Sequence, residues 1–458
     1  MHLGKRMRTW TMLVATALMV AVSPVLGQED LGERAENICN ELQNYVGKSD
    51  EAGEKWIRKR FCDVLTQPTV RLGQLDTLEA TIALLQDAKI RPSAGFLAYL
   101  NSFEFLINEP DSALWWDYHD MIAGMHAKRS WRRDLSEFLQ ASPGLISDKI
   151  VADGKAAKWR IEDAALGMDC DTLPIVHFTR GTLVGVAKGD TIRIEETMGY
   201  WVPGSDRFVA DGGVVTWRGT SFNPENNFTE LPPFEIKLTG SNFYIDSATL
   251  HTELFPAPLA GKLIVKLQNV RDSSDRSYPR FESYDRNLRL ENIEPDVNFE
   301  GGIVIKGSQI AGTGTPESPA RLTIFREDTL FVESSALEFL FTTGGIYSPE
   351  TSFSMYFAED TLSHPMIRFR FDKRSQRFSF MRPEEGLGQQ GFRDSFHNVS
   401  IDVEGVFWER GSTRVRLGAL LTSSISTAVI TSDDFFKKEA FDMMTGIDNL
   451  HPLVELNR

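Results

Sequence analysis

The sequence predicts an α+β chain of more than one domain: an N-terminal α-helical bundle, then a longer and mainly antiparallel β region, built as a sandwich or as a β-jellyroll or solenoid. Three observations predict it. Apolar residues recur at the helical period as far as about residue 147. After Ser147 the period falls to two, with one apolar and one polar face per strand. Glycine, proline and aspartate turn signals then punctuate the chain.

Residues 1–27 read as a cleavable export signal. Lys5, Arg6 and Arg8 make a basic start, an apolar run follows from Met12 to Val22, and Pro24 breaks any helix before Val25-Leu26-Gly27. The run is shorter than the roughly 20 residues that span a bilayer, so cleavage before Gln28 is expected, with an uncleaved anchor as the alternative. No cysteine directly follows the run and no Arg-Arg pair precedes it, so neither a lipoprotein anchor nor the twin-arginine route is indicated. No later stretch reaches the length of a transmembrane helix.

Residues 28–147 are assigned to the helical domain. Leu78, Ile82, Leu84 and Leu85 share a face, and Arg91-Pro92 stops their helix because the residue before proline leaves the α region. Phe96, Leu97, Leu100, Phe103 and Leu106 mark the next helix. A loop over residues 108–111 precedes a helix with Trp115 and Trp116, capped by Asp111 or Ser112. Ser130 is expected to cap a last helix that Pro143-Gly144 ends. Cys39 and Cys62 could bridge neighbouring helices in an oxidising compartment, leaving Cys170 over; the alternative is three small buried thiols. His119 and His126 lie two turns apart, roughly 10 Å, too far for one metal ion. Asp117, His119 and Asp120 read as structural or surface residues, and Trp115, Trp116 and Tyr118 as packing residues, the alternative for these aromatics being an exposed recognition patch.

Residues 148–430 form the β region, with a subdomain split considered near 271–298. Lys158–Ile161, Phe234–Leu238, Met366–Phe371, Arg377–Phe380 and Arg414–Leu417 alternate, the pattern of strands with one buried face. Arg180-Gly181, Lys188-Gly189, Gly212-Gly213, Gly301-Gly302 and Gly344-Gly345 read as turns. Phe325-Arg326-Glu327-Asp328-Thr329-Leu330 is echoed 32 residues later by Phe357-Ala358-Glu359-Asp360-Thr361-Leu362, with shorter echoes at Asp171-Thr172 and Asp190-Thr191. An Asp-Thr pair suits a turn that enters a strand. Residues 431–458 are expected to form a short helical tail, capped by Asp433 or Asp434 and carrying Phe435, Phe436 and Phe441.

Two segments carry a resemblance: Lys188–Trp217 (KGDTIRIEETMGYWVPGSDRFVADGGVVTW) and Phe299–Val332 (FEGGIVIKGSQIAGTGTPESPARLTIFREDTLFV). In their strand and turn pattern they resemble secreted β-rich proteins of Gram-negative bacteria, and more distantly the OstA-type β-jellyroll proteins that carry lipopolysaccharide across the periplasm. Over residues 150–420 this resemblance implies stacked antiparallel strands forming an open V whose apolar interior holds acyl chains. The helical block departs from that family, which is nearly all strand, and no functional residue carries over.

The formal net charge is −15, and loss of the export signal, with three positive and no negative charges, makes it −18. With no dense basic run, this disfavours nucleic acid as a partner. No nucleophile elbow, zincin motif, P-loop or dinucleotide fingerprint occurs, and Glu385–Gly391 is Gly-rich without the residues of a phosphate cradle. Glu195 and Glu196 point to opposite faces if extended, whereas Asp169 and Asp171 would share one about 7 Å apart, near the spacing of glycosidase carboxylates. Strand aromatics that could stack on sugars are Tyr200, Trp201, Trp217, Phe407 and Trp408. Asn227 and Asn398 lie in glycosylation-type triplets. No catalytic residue, metal ligand or cofactor is assigned. The expectation is a non-catalytic exported envelope protein, periplasmic or at the cell surface, that binds an amphipathic lipid-linked or protein partner. The alternatives are a glycan-binding or glycan-processing protein, with Trp201, Trp408, Tyr200 and Trp217 as ligand residues, and the N-terminal part of a larger secreted scaffold.

Overall fold

A computed structural model describes residues 28–108, 112–218, 220–255, 257–267, 278–383, 389–418 and 428–432. The predicted export signal, the predicted tail helix from residue 433 on, the alternative cap Asp111 and residues 385–388 of the Gly-rich segment lie outside them. The fold is α+β, with helices first and a large antiparallel β region after. The chain divides into two compact units: residues up to Asp148 with Leu166–Val176 and Val202–Gly204, and residues Lys149–Ala165, His177–Trp201 and Ser205 onward.

The first unit holds α1 (Gln28–Gly47), α2 (Glu51–Trp56), a π turn over Ile57–Phe61, α3 (Cys62–Leu65), α4 (Leu72–Asp87), a second π turn over Pro92–Phe96, α5 (Leu97–Leu106), α6 (Ala113–Ala127) and α7 (Arg132–Asp148). Leu78 and Leu85 of α4 are buried, as are Phe96, Leu100, Phe103 and Leu106. Arg91 is extended (ψ 130°) before Pro92, which starts the next turn of helix. Ser112 caps α6, accepting a hydrogen bond from the Trp115 amide at 3.3 Å. Cys39 is bonded to Cys62, with 5.7 Å between their Cα atoms.

Two expectations fail in α7. The Trp131 carbonyl, not a Ser130 cap, receives the first hydrogen bonds, from the Asp134 and Leu135 amides. The helix also runs through Pro143 to Asp148. Proline removes one hydrogen bond, but Phe138, Ser142 and Leu145 share the buried face, and the Ser142 hydroxyl donates to the Phe138 carbonyl at 2.7 Å. Burial of Leu145 holds the last turn in place.

The strands are β1 (Ile150–Asp153), β2 (Lys158–Glu162), β3 (Leu166–Asp169), β4 (Ile175–Ala187), β5 (Asp190–Trp201), β6 (Arg207–Ala210), β7 (Gly213–Thr216), β8 (Phe228–Leu231), β9 (Phe234–Lys237) and β10 (Asn242–His251). After them come β11 (Leu259–Lys266), β12 (Arg280–Ser283), β13 (Leu288–Glu294), β14 (Val297–Lys306), β15 (Gln309–Thr313), β16 (Ala320–Arg326), β17 (Thr329–Ala336) and β18 (Glu338–Thr342). The last are β19 (Gly345–Phe357), β20 (Asp360–Asp372), β21 (Arg377–Met381), β22 (Phe392–Asp394), β23 (Val399–Asp402), β24 (Gly405–Glu409), β25 (Val415–Gly418) and β26 (Val429–Ser432). β3 and the start of β4 belong to the first unit.

In the second unit the strands stack into two layers. One layer runs from β11 through β12, the second half of β14, β15, β18, the first half of β19, the second half of β20, β21 and β24 to β25. One row of partners crosses it: Leu263, Phe281, Ile305, Ile310, Phe341, Ile346, Phe371, Phe378 and Trp408, all buried. The other layer contains the first half of β14, β16, β17, the second half of β19 and the first half of β20, with the buried row Val297, Ile324, Val332, Met355 and Leu362. Thus β14, β19 and β20 pass from one layer to the other, β19 and β20 bending where their register shifts between Ser348 and Phe353. Ring contacts join the layers: Phe299 to Phe341 at 5.4 Å, Phe353 to Phe380 at 4.3 Å and Phe331 to Trp408 at 4.8 Å between centroids. Each buried ring contributes about 2–3 kcal/mol of transfer free energy.

The glycine signals divide. Lys188-Gly189 is a hairpin turn with both residues at positive φ (52° and 84°). Gly181 and Gly301-Gly302 instead lie inside β4 and β14. A side chain at Gly181 would meet the Glu162 carbonyl of the neighbouring strand, so close backbone approach explains that glycine. The Asp-Thr echoes at 190, 328 and 360 do enter strands β5, β17 and β20, whereas Asp171-Thr172 lies in a turn.

Candidate functional site

The outer face of β20, β21, β24 and β25 follows from strand parity. Phe371, Phe378 and Trp408 point inward, so the partners one residue away, Arg370, Ser379, Phe407 and Arg416, form a row on the opposite face. A groove of about 600 Å³ opens on this region, lined by Arg368, Met381, Arg382, Asp402, Glu404 and Phe407 among others.

The charges of this face are unevenly matched. Arg377 is bonded to Glu409 at 3.1 Å. Arg382 donates to the Gln389 carbonyl at 2.5 Å and pairs with Asp402. The Arg416 guanidinium lies over the Phe407 ring, 4.8 Å from its centroid. Among the described residues Arg416 has no carboxylate within ion-pair distance, and Arg370 reaches Asp372 only at 3.8 Å. The groove's own lining balances two arginines, Arg368 and Arg382, against two carboxylates, Asp402 and Glu404, and Phe407 is only 4% exposed.

A second groove of about 610 Å³ is lined by Arg193, Glu195, Trp217, Arg218, Tyr278 and Ser308 among others. Its charges are matched: Arg218 to Glu195 at 2.7 Å, Arg193 to Glu162 at 2.8 Å.

The tryptophans that the glycan-binding alternative would place at a ligand are buried. Trp201, Trp217 and Trp408 are each no more than 3% exposed. Their indole N–H groups donate to the Ser205 carbonyl (2.8 Å), the Thr229 hydroxyl (2.8 Å) and the Ser412 carbonyl (2.9 Å). Trp408 also stacks on Phe378 at 5.1 Å. The reason is parity. Glu196 sits at φ 54° inside β5, and the inward set changes there from Asp190, Ile192 and Ile194 to Thr197, Gly199 and Trp201. Tyr200 consequently sits half-exposed on the other face. Of these four residues Trp217 borders a groove, and the four are not gathered into one site. The sequence had named Phe407, which borders the first groove but is only 4% exposed; it did not single out Arg368 or Arg382, although the alternation in Met366–Phe371 already set Arg368 opposite the apolar face.

The remaining candidates are accounted for structurally. The Asp169 carboxylate accepts from the Asp171 amide at 2.8 Å in a local turn, which removes it from a paired-acid arrangement. Glu195 and Glu196 bind separate arginines, Arg218 and Arg180. His126 bonds to Asp87 at 2.8 Å. His119 is buried: its Nδ1 donates to the Trp115 carbonyl at 2.8 Å, and burial drives its pKa down to about 4. Trp115 and Tyr118 are core, whereas Trp116 is 56% exposed. Cys170 faces Gly124, where a Cβ would lie 2.6 Å from its sulfur, and burial raises its thiol to about 11. Asn227 is fully buried, with its amide on the Thr220 hydroxyl at 2.9 Å, and Asn398 is exposed in the turn before β23. Among the described residues no group of three or more His, Cys, Asp and Glu could hold a metal, and no helix is long and apolar enough to cross a membrane. Comparison with protein-family models, with curated proteins and with solved structures found no match.

Proposed function

We propose that this chain is an exported, non-catalytic protein of the cell envelope that binds a partner through the outer faces of its β sandwich. One observation carries this reading: the groove lined by Arg368, Met381 and Arg382 opens on the outer side of a sandwich whose interior is already filled with rings. Filling of the interior from β14 to β24 favours surface binding over the acyl-sheltering role that the OstA-type resemblance implies. The charged export signal and one-face-apolar strands support a place in the periplasm or at the cell surface.

The test is binding of the purified full chain to a panel of envelope lipids, glycans and envelope proteins, read by calorimetry, with turnover of each ligand followed in parallel. Saturable binding without turnover is the expected result. Turnover of any panel member, or no binding to all of them, overturns the reading.

A further inference from the structure

We propose that residues 433–458 dock on the open end of the β sandwich, covering Leu417 and Ile430 and screening the edge strands β25 and β26 from other chains. This goes beyond the binding role and does not depend on it. Two inward-facing rows of side chains stay dry across the sandwich and break into solvent at the last strand. In one layer Phe369, Phe380, Val406 and Leu417 are successive partners; the first three are fully buried, and Leu417 is 41% exposed. In the other layer Phe392, Ile401 and Ile430 are successive partners; the first two are buried, and Ile430 is 65% exposed. The rows belong to one core, since the Phe353 ring meets Phe380 at 4.3 Å and Phe392 at 6.0 Å between centroids. That core therefore ends with two inward side chains uncovered. Among the described residues β25 pairs with β24 alone and β26 with β23 alone, so each layer also ends in an edge strand.

Three observations make the chain's own next segment the occupant. The first is continuity. β26 ends at Ser432, two residues after Ile430, so residue 433 starts beside the uncovered surface with no linker to cross. A tether that short gives an effective concentration on the order of millimolar, which a free partner would have to exceed. The second is composition. Phe435, Phe436, Phe441, Met443 and Met444 crowd the start of the segment, and side chains of this kind gain free energy by leaving water. The third is charge. The segment opens on Asp433-Asp434 and holds six acidic residues against three basic ones, whereas Arg414 and Arg416 stand exposed beside Leu417. A second copy fits this end less well, because antiparallel self-pairing of β25 would set these arginines against their own counterparts.

The experiment follows two readouts in the full chain: trypsin cleavage after Lys437 and Lys438, and hydrogen exchange of residues 415–418 and 429–432. Docking should slow cleavage at least about tenfold relative to a synthetic peptide of residues 433–458. The triple variant Phe435→Asp/Phe436→Asp/Phe441→Asp should speed cleavage and the exchange of both strands by about tenfold or more, and the bared edges should make the chain self-associate in sedimentation. Leu417→Asp/Ile430→Asp should free the two lysines to the same degree, whereas Leu173→Asp, at a comparably exposed leucine of the first unit, should not. Thermal melts check that the variants are folded; if one is not, the comparison of the unaltered chain with the free peptide decides. Cleavage of the unaltered chain as fast as the peptide, or unchanged exchange of β25 and β26 in the folded triple variant, overturns the inference. Exchange protection that falls on about hundredfold dilution assigns the surface to a second copy and overturns it too. Release of the segment in a chain that stays monomeric keeps the docking and overturns the screening role.

Discussion

His119 is where the helical unit is most sensitive to acid. Burial holds the imidazole neutral down to about pH 4, whereas an unfolded histidine takes its proton near 6.5. Between those values the unfolded chain binds a proton that the folded chain refuses. Stability from this residue is therefore complete above pH 6.5 and is lost as pH falls towards 4, by up to about 3 kcal/mol. Urea unfolding of the full chain at pH 7.5, 5.5 and 4.5 should show the helical transition weakening, and His119→Gln should weaken less over the same range. Parallel pH profiles for the two proteins would exclude His119 as the cause. The sequence offered little warning: Asp117, His119 and Asp120 alternate with aromatics, and only the helix's rotation decides that His119 lies under Trp115 at 4.5 Å while Trp116 faces out. Which way the strand indole of Trp201 points was illegible for a related reason, since a single left-handed residue, Glu196, reverses which side chains of β5 point inward.

At the level of the element, that same device recurs at Ser247, which sits at φ 58° inside β10 where the register with β11 shifts between Ile245 and Ala248. The Ser247 amide donates to the Tyr284 hydroxyl at 2.7 Å, a bond that does not need the serine side chain. Ser247→Gly should thus raise stability by about 0.5–1 kcal/mol, since glycine adopts this conformation without the Cβ penalty, and Ser247→Val should lower it. Denaturant midpoints measure both, and a stabilising valine would refute the bulge account. Core tightness gives the opposite case. A Cβ at Gly312 would press into the Phe299 ring and lie 3.0 Å from Phe341, so Gly312→Ala should destabilise by about 1–3 kcal/mol in a melt. Helices and strands were legible because their periods are set by geometry that every residue feels: Leu78 and Leu85, or Phe369 and Phe371, report it directly. Bends inside elements were not. Pro143 looked like a helix end, yet Leu145 beyond it is buried, and Gly301-Gly302 looked like a turn, yet it lies within β14.

For the molecule as a whole, two units with separate cores should unfold in two steps. The Cys39–Cys62 bond closes a loop with a sequence separation of 23, all within the helical unit. Constraint of the unfolded chain by a loop of that size is worth about 3 kcal/mol. Calorimetric scans with and without reductant should then move one transition down by several degrees and leave the other in place; a shift of both, or of neither, would count against that division. A different consequence follows from β14, β19 and β20, each a single covalent strand that serves both layers of the sandwich. Such a structure cannot gape like a hinged shell, because parting its walls would mean tearing these strands from their partners on both sides. On the proposed binding role, a guest therefore meets a fixed surface. Association should proceed without a gating step, at rates set by encounter and orientation, and a guest should leave as directly as it came.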